Sequence, residues 1–235
     1  MNSLFEKAHD EQEESHWLSV SDLMAGLMMV FLFVAIALMM DAFTERDKIK
    51  QVAVAYQENQ VAIFDSLNDE FGKDLERWNA EIDEETLTFT FKSPKVLFKV
   101  GEIDLSDKYK SLLIDFFPRY MAVLAPYQKS INEVRIEGHT SSVWNSYVTD
   151  RIAYFNNMEL SQGRTRSVLN FVFGMDKTKQ YRNWIKSHVA AVGLSSSKPI
   201  YKNNGEEDRA RSRRVSFRVI TNADIQIKKI LQGEG

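Results

Sequence analysis

From residue 23 to residue 40 the chain carries neither a charge nor a proline, and Asp22 stands directly ahead of this 18-residue run. Three kinds of segment contain such a run, and each makes different demands on the flanks. A signal peptide starts basic and ends at a small-residue cleavage site. Here residues 6–14 hold five acids against Lys7, and Asp41, Ala42 and Phe43 follow the run, so cleavage is not expected. A buried helix of a soluble core shows a polar stripe, whereas residues 23–40 are apolar on every side, as hydrocarbon demands. The 23 residues from 18 to 40 are enough to cross a bilayer core of roughly 30 Å at about 1.5 Å per residue. The expectation is one uncleaved transmembrane helix over residues 17–43, with Trp17 as an interfacial anchor. Before it lies an acidic tail, residues 1–16, expected to be solvated and poorly ordered.

The rest of the chain is too long to be only an anchor: 235 residues, 27% charged and 44% hydrophobic, leave room for one ordinary domain plus attachments. A net charge of -3 argues against a nucleic-acid partner, which favours a strongly basic face. The absence of cysteine excludes disulfide scaffolds, thiolate zinc sites and cysteine nucleophiles, and leaves the redox compartment open. Residues 44–85 read as a helical stalk. Ile49, Val52, Tyr56, Ile63, Leu67, Phe71, Leu75, Trp78 and Ile82 recur at steps of 3, 4 and 7, the spacing of a seam between helices. That seam fits either a two-chain parallel coil or a single helix lying on its own domain, and Gly72 points to an interruption.

From Thr86 onward the texture is α+β. Leu87, Phe89 and Phe91 alternate with threonines, as a half-buried strand does. Residues 109–124 read as helix, with a kink or a break expected at Pro118. Val134, Ile136 and Gly138 mark a strand running into a turn. Val168, Leu169, Phe171 and Val172 belong to a helix expected to begin near Leu160 or Ser161, and Trp184 with Ile185 to another. Residues 189–192 and 215–220 supply two more strands, and residues 223–235 a short polar tail.

On these elements sit four ordered motifs. They are Ile136 to Thr140, then Asn157 with Leu160, Ser161 and Arg164, then Gly193 with Pro199, and finally Arg213, Arg214 and Val215. Together they resemble the OmpA-like peptidoglycan-binding domain, over residues 96–221. The resemblance implies an α/β sandwich over residues 86–222. It also implies that Arg164 meets a carboxylate of the wall peptide, with Asn157 and Leu160 shaping the pocket. A guanidinium offers paired donors to a carboxylate and stays charged. Of Arg213 and Arg214, one is expected to support the sheet and the other, entered as Arg213, to reach the pocket. The chain departs from the family at Ser141, where an aspartate usually receives the peptide's ammonium; Asp150 and Asp176 are the candidates to replace it. The structural alternative for Arg164 is pairing with an internal acid.

A wall-binding domain lies outside the cytoplasmic membrane. The resemblance therefore implies a single-pass bacterial inner-membrane protein with its N-terminus inside, residues 1–16 cytoplasmic and the domain periplasmic. The charge count around the span, with Arg46, Lys48 and Lys50 after it, points the other way, but that rule weakens when a long folded domain follows.

Asp22 then has two readings. Ser19 and Asp22 form an S-x-x-D capping pattern. Alternatively, Asp22 is a proton carrier inside the bilayer, where charge costs on the order of 3 kcal/mol and marks ion pathways. Ser21, Ala25 and Gly26 beside it allow close approach of another helix. Residues 17–31, WLSVSDLMAGLMMVF, resemble the span of MotB-type stator subunits, where an aspartate so placed carries the proton. The combination of short tail, span, stalk and wall-binding domain is similar to the ZorB-type subunits of Zorya anti-phage systems. That resemblance implies a homodimer inside a ring of multi-span ZorA- or MotA-like subunits, tethered to peptidoglycan and driven by H+, with Na+ the alternative ion and no cofactor. A flagellar stator subunit and a passive tether without ion conduction are the alternative functions. An enzyme is not expected: His139 lies too close in sequence to Ser141 and Ser142 to share a reacting atom with them, and His9, His16 and His188 have no metal-ligand spacing.

Overall fold

The computed structural model describes residues 2–92, 97–145 and 147–222, with side chains described at Trp17 and from residue 20 onward. The chain divides into two units, one built on residues 1–52 and one on residues 53–226.

The first unit is helical. Helix α1, Asn2–Phe71, starts at the second residue, so the segment expected to be poorly ordered lies within its opening turns. Residues 2–16 contain no proline or glycine, and Glu6, Glu11, Glu13 and Glu14 with Leu4, Lys7, Ala8 and Gln12 are good helix formers. In the part of α1 from Val20 onward, the apolar window has a mean hydropathy of 2.7 and none of it is buried. Leu23, Phe33 and Leu38 are 73%, 66% and 66% exposed, which excludes the buried core helix and leaves an apolar surface on every side.

In the second unit, the end of α1 belongs to the domain. Ile63, Leu67 and Phe71 are fully buried in its core, so this part of the apolar stripe lies on its own domain and not in a seam with another chain. Arg119 fastens this helix end, with Nε 2.6 Å from Glu70 Oε1, Nη1 2.9 Å from Asp74 Oδ2, and its guanidinium 4.8 Å from the Phe71 ring centre. Helix α2, Leu75–Trp78, leads to β1, Ala80–Asp83, which pairs with β2, Thr88–Phe91. The sheet thus begins inside the segment read as stalk. Four residues with little alternation between Trp78 and Thr86 gave no strand pattern to find.

Helix α3, Asp107–Leu124, is capped by Ser106, whose side chain accepts from the Tyr109 amide. It remains one helix through Pro118, where the sequence predicts a kink or break. An interior proline costs about 3 kcal/mol. The seven buried residues of α3, Phe116, Phe117 and Tyr120 among them, outweigh that, since each large apolar side chain contributes roughly 1.5–3 kcal/mol. Strand β3, Ile131–His139, is followed by helix α4, Asp150–Gly174. Helix α4 starts ten residues before the expected Leu160. The consecutive Ile152, Ala153, Tyr154 and Phe155 hide the helical period, and only Ala153 of the four is buried. Helix α5, Arg182–His188, β4, Val189–Gly193, the short α6, Arg209–Ser212, and β5, Arg214–Thr221, complete the domain.

The sheet order is β1-β2-β5-β3-β4, antiparallel except for the β3–β4 pair, which α4 and α5 connect as a crossover. Phe89 and Phe91 of β2 and Phe217 of β5 point to the helical layer, where Phe116 lies within 5.1 Å of all three ring centres. This is the α/β sandwich expected from the motifs, carrying a mixed sheet.

Candidate functional site: a buried guanidinium at the end of β3

Two glycines let α4 settle on β3 and β4. A Cβ on Gly138 would lie 2.8 Å from Ser161 O, and one on Gly193 would lie 2.4 Å from the Gln162 amide nitrogen. Both contacts are with the backbone of α4, so neither can yield cheaply. Gln162 locks the approach by accepting from the Gly193 amide at 2.7 Å and donating to Ala191 O at 3.1 Å. Ser161 Oγ accepts from the Ser195 amide at 3.1 Å. Helix α4 is thereby fixed in depth and rotation, and with it Asn157, Leu160 and Arg164, which follow one another at steps of three and four along one face.

Asn157, Leu160, Arg164 and Arg213 all line one cavity of about 290 Å³. Thr140 and Ser141 from the end of β3, Phe98, and Val143 with Trp144 complete its walls. Arg164 is 9% exposed. Its Nε donates to Glu102 O at 2.9 Å and its Nη2 to Lys99 O at 3.2 Å, and its guanidinium stacks 4.8 Å from the Phe98 ring centre. Among the described residues no carboxylate lies within ion-pair distance of it, so pairing with an internal acid is not what holds it. Burial, and after it the neighbouring Arg213 charge, push the Arg164 guanidinium down to about 10; at neutral pH it is still a cation. A buried cation met by carbonyl oxygens and a ring face but by no carboxylate is an electrostatic deficit that an entering carboxylate removes.

Asn157 is buried, and its Nδ2 donates to Ser141 O at 3.1 Å, so it fixes the turn at the cavity wall. Arg213 lines the cavity, while Arg214 donates to Lys198 O and Ser212 O and braces the loop before β5. Neither Asp150 nor Asp176 lines the cavity; Asp176 pairs with Lys179 at 2.7 Å. The carboxylate nearest the turn in bonding is that of Glu207, which accepts from the Ser142 amide at 3.0 Å and from Ser142 Oγ at 2.5 Å. Sequence reasoning missed Glu207 and Phe98: the first is far away in the chain, and the second reads only as one more apolar residue of V-L-F-K-V. His139 and Ser142 do not meet. His139 Nε2 lies 3.4 Å from Glu137 Oε2, inside the sheet.

In the other unit, Asp22 is exposed and lies far inside α1, which starts at Asn2. Capping needs the free amides of a first turn, and at residue 22 there are none. A Cβ on the adjacent Gly26 would meet nothing within 4 Å, so the surface beside the carboxylate is open to a neighbouring helix.

Comparison with known proteins gives concordant matches. The model of the OmpA family matches residues 97–213. The Zorya protein ZorB of Escherichia coli is 55% identical over 222 residues, 94% of either chain. Among solved structures, a putative MotB-like protein from Desulfovibrio vulgaris aligns with 73% of this chain and 94% of its own at 22% identity and a TM-score of 0.49. The cell wall anchor of the type VI secretion system from Pseudomonas aeruginosa aligns with 66% and 96% at 22% identity and a TM-score of 0.44.

Proposed function

Because the chain belongs to the ZorB family of Zorya proteins and carries an OmpA-type domain, we propose that it is a wall-anchored, ion-conducting membrane subunit acting in anti-phage defence. The observation that carries the wall-binding half is the Arg164 guanidinium, buried and charged at a cavity where no carboxylate among the described residues neutralises it. A terminal carboxylate of a peptidoglycan stem peptide is the ligand of matching charge and shape. It takes the guanidinium donors that Glu102 O and Lys99 O leave free, while Arg213 adds a second positive charge and Leu160 packs on the ligand's apolar part. The family name and the OmpA-type domain support this reading together.

The ion-conducting half rests on Asp22, the carboxylate next to the apolar run. It cycles between charged and neutral forms as H+ passes, with the span packed against a multi-span ZorA-like partner. Burial in such an assembly raises a carboxyl's proton affinity, and polar groups or water on the far side favour release. Two copies of the chain, each with one Asp22, stand inside the partner ring with their N-termini in the cytoplasm and their domains in the periplasm. Stroke follows from the different contacts preferred by a neutral and a charged helix.

The test of the anchor is co-sedimentation of the full-length protein with purified peptidoglycan. Arg164→Ala is expected to lose the pelleted fraction while leaving the domain's thermal unfolding close to wild type. Full retention of pelleting would show that the wall is held by other residues.

A further inference from the structure

The part of the arginine cavity's wall that follows β3 is held in two ways. Thr140 and Ser141 are fixed by the domain itself: the Thr140 amide donates to Ser195 O at 2.8 Å, and Ser141 O accepts from Asn157 Nδ2 at 3.1 Å. Val143 and Trp144, which continue the wall, make no hydrogen bond among the described residues. Their placement is set at Ser142, and there a single side chain acts. The Ser142 amide donates to Glu207 Oε1 at 3.0 Å and its Oγ to Oε2 at 2.5 Å, so both oxygens of one carboxylate grip one residue. Hydrogen bonds to an ionised acceptor are roughly twice as strong as neutral ones, and a pair of them fixes orientation as well as distance.

Glu207 can hold the turn because its own loop is closed. Residue 207 bridges to Tyr201, and the Lys202 amide donates to Glu206 O at 2.8 Å across a turn at Gly205, whose φ of 82° glycine adopts without strain. Next along the chain, the Asp208 amide donates to Ile200 O at 2.7 Å, and the Asp208 side chain accepts from the Ala210 and Arg211 amides, each at 3.1 Å. Ser212 Oγ accepts from the Ile200 amide at 2.9 Å, and the chain then delivers Arg213 to the cavity. Residues 200–213 are thus one hydrogen-bonded piece with Glu207 at one point and Arg213 at another. Arg213 also lines a neighbouring cavity of about 740 Å³ with Glu207, so the acid joins the turn and the second guanidinium of the site to a common frame.

We infer that Glu207 is a positioning residue of the arginine cavity: its carboxylate sets the wall from Ser142 to Trp144 and ties it to the loop that delivers Arg213, without touching the ligand. The inference rests on the proposed wall binding. A wall held before the ligand arrives need not be ordered on binding, and that saved ordering appears as affinity.

The full-length protein in detergent is titrated with a soluble peptidoglycan stem peptide bearing its free carboxylates, and thermal unfolding is followed in parallel. Glu207→Ala is expected to weaken binding about tenfold with an unfolding midpoint close to wild type. Glu207→Gln, which keeps an acceptor oxygen for the Ser142 amide, is expected to recover binding to within about threefold of wild type. In a Ser142→Ala background, Glu207→Ala is expected to cost less than it does alone, because part of the same grip is already gone. Wild-type affinity in Glu207→Ala would overturn the positioning role and leave the Arg164 reading standing. So would a Glu207→Gln variant as weak as Glu207→Ala beside a Ser142→Ala variant that binds normally, since the charge would then act on the ligand itself. Failure of the peptide to bind wild type would overturn both readings.

Discussion

His139 shows how one residue in a recognisable motif acquires a role the motif does not state. It lies in β3 opposite Arg214, 5% exposed, with Nε2 3.4 Å from Glu137 Oε2 and 3.5 Å from Ser216 Oγ. Its Nδ1 is buried with no partner among the described residues, so a second proton has nowhere favourable to go. Burial pushes the imidazole down, and the charges of Arg214 and Lys198 push the same way, against the opposing pull of Glu137. Burial also disfavours the Glu137 carboxylate, but the His139 hydrogen bond and nearby positive charges outweigh it and hold that group below its usual range. For a histidine with a lowered folded value, the unfolded chain binds more protons in the window below about 6.5, the unfolded value, so stability falls as pH drops through it. Glu137 contributes stability in the same sense at lower pH, where it is lost as pH falls through the depressed folded value. Thermal unfolding followed from pH 7.5 to 5.5 is therefore expected to show a falling midpoint, and His139→Gln to flatten that slope. An identical slope in the variant would place the titrating group elsewhere. From the sequence, Ile136 to Thr140 is legible as a strand and its turn. The inward and outward sides of that strand are not, because they depend on register with β5.

At the scale of elements, the glycines of the motifs turn out to be packing devices. Gly138 and Gly193 are register partners on β3 and β4, and both face the backbone of α4. Gly193→Ala puts a methyl 2.4 Å from the Gln162 amide nitrogen, a contact that only movement of the helix or strand can relieve. Overpacking of this kind costs about 1–3 kcal/mol. Chemical denaturation of Gly193→Ala is expected to show a loss in that range, together with weakened peptidoglycan pelleting, because Arg164 rides on the displaced helix. A variant that binds the wall normally would show that α4 tolerates the shift without moving its guanidinium. The same scale explains which elements the sequence revealed. Strands β2, β4 and β5 lie within about a residue of where the sequence places them, whereas β3 starts at Ile131, three residues before the expected Val134, across an irregularity in its pairing. The early start of α4 and the continuity of α3 through Pro118 are tertiary outcomes, set by what the sheet buries and not by local pattern. The site divides in the same way: the resemblance groups Asn157, Leu160 and Arg164, although the helix that carries all three is expected to start only at Leu160, whereas Phe98, Trp144 and Glu207 arrive from loops whose approach no spacing records.

At the scale of the whole molecule, the chain joins an apolar run headed by the Asp22 carboxylate to a domain whose buried Arg164 guanidinium meets no carboxylate among the described residues, and the two groups belong to separate units. Ion movement at Asp22 does no work on a partner ring unless the subunit is held against rotation, and a wall tether does nothing directional without an ion step. Under the proposed function both are needed for defence, yet each is removable alone. Asp22→Asn keeps the size, the polarity and the helix while removing the titrating group. Cells carrying that variant with the partner subunits are expected to lose phage resistance and proton influx, while the purified variant pellets with peptidoglycan as wild type does. Unimpaired resistance or influx in Asp22→Asn would sink the ion-carrier role and favour the passive tether. The exposure of the apolar run on all sides leaves room for partner helices next to residue 22, and the open surface at Gly26 is where the closest of them is expected to pack. Replacing that glycine would crowd the approach without touching the carboxylate, so loss of influx in Asp22→Asn with normal assembly isolates the charge itself as the cause.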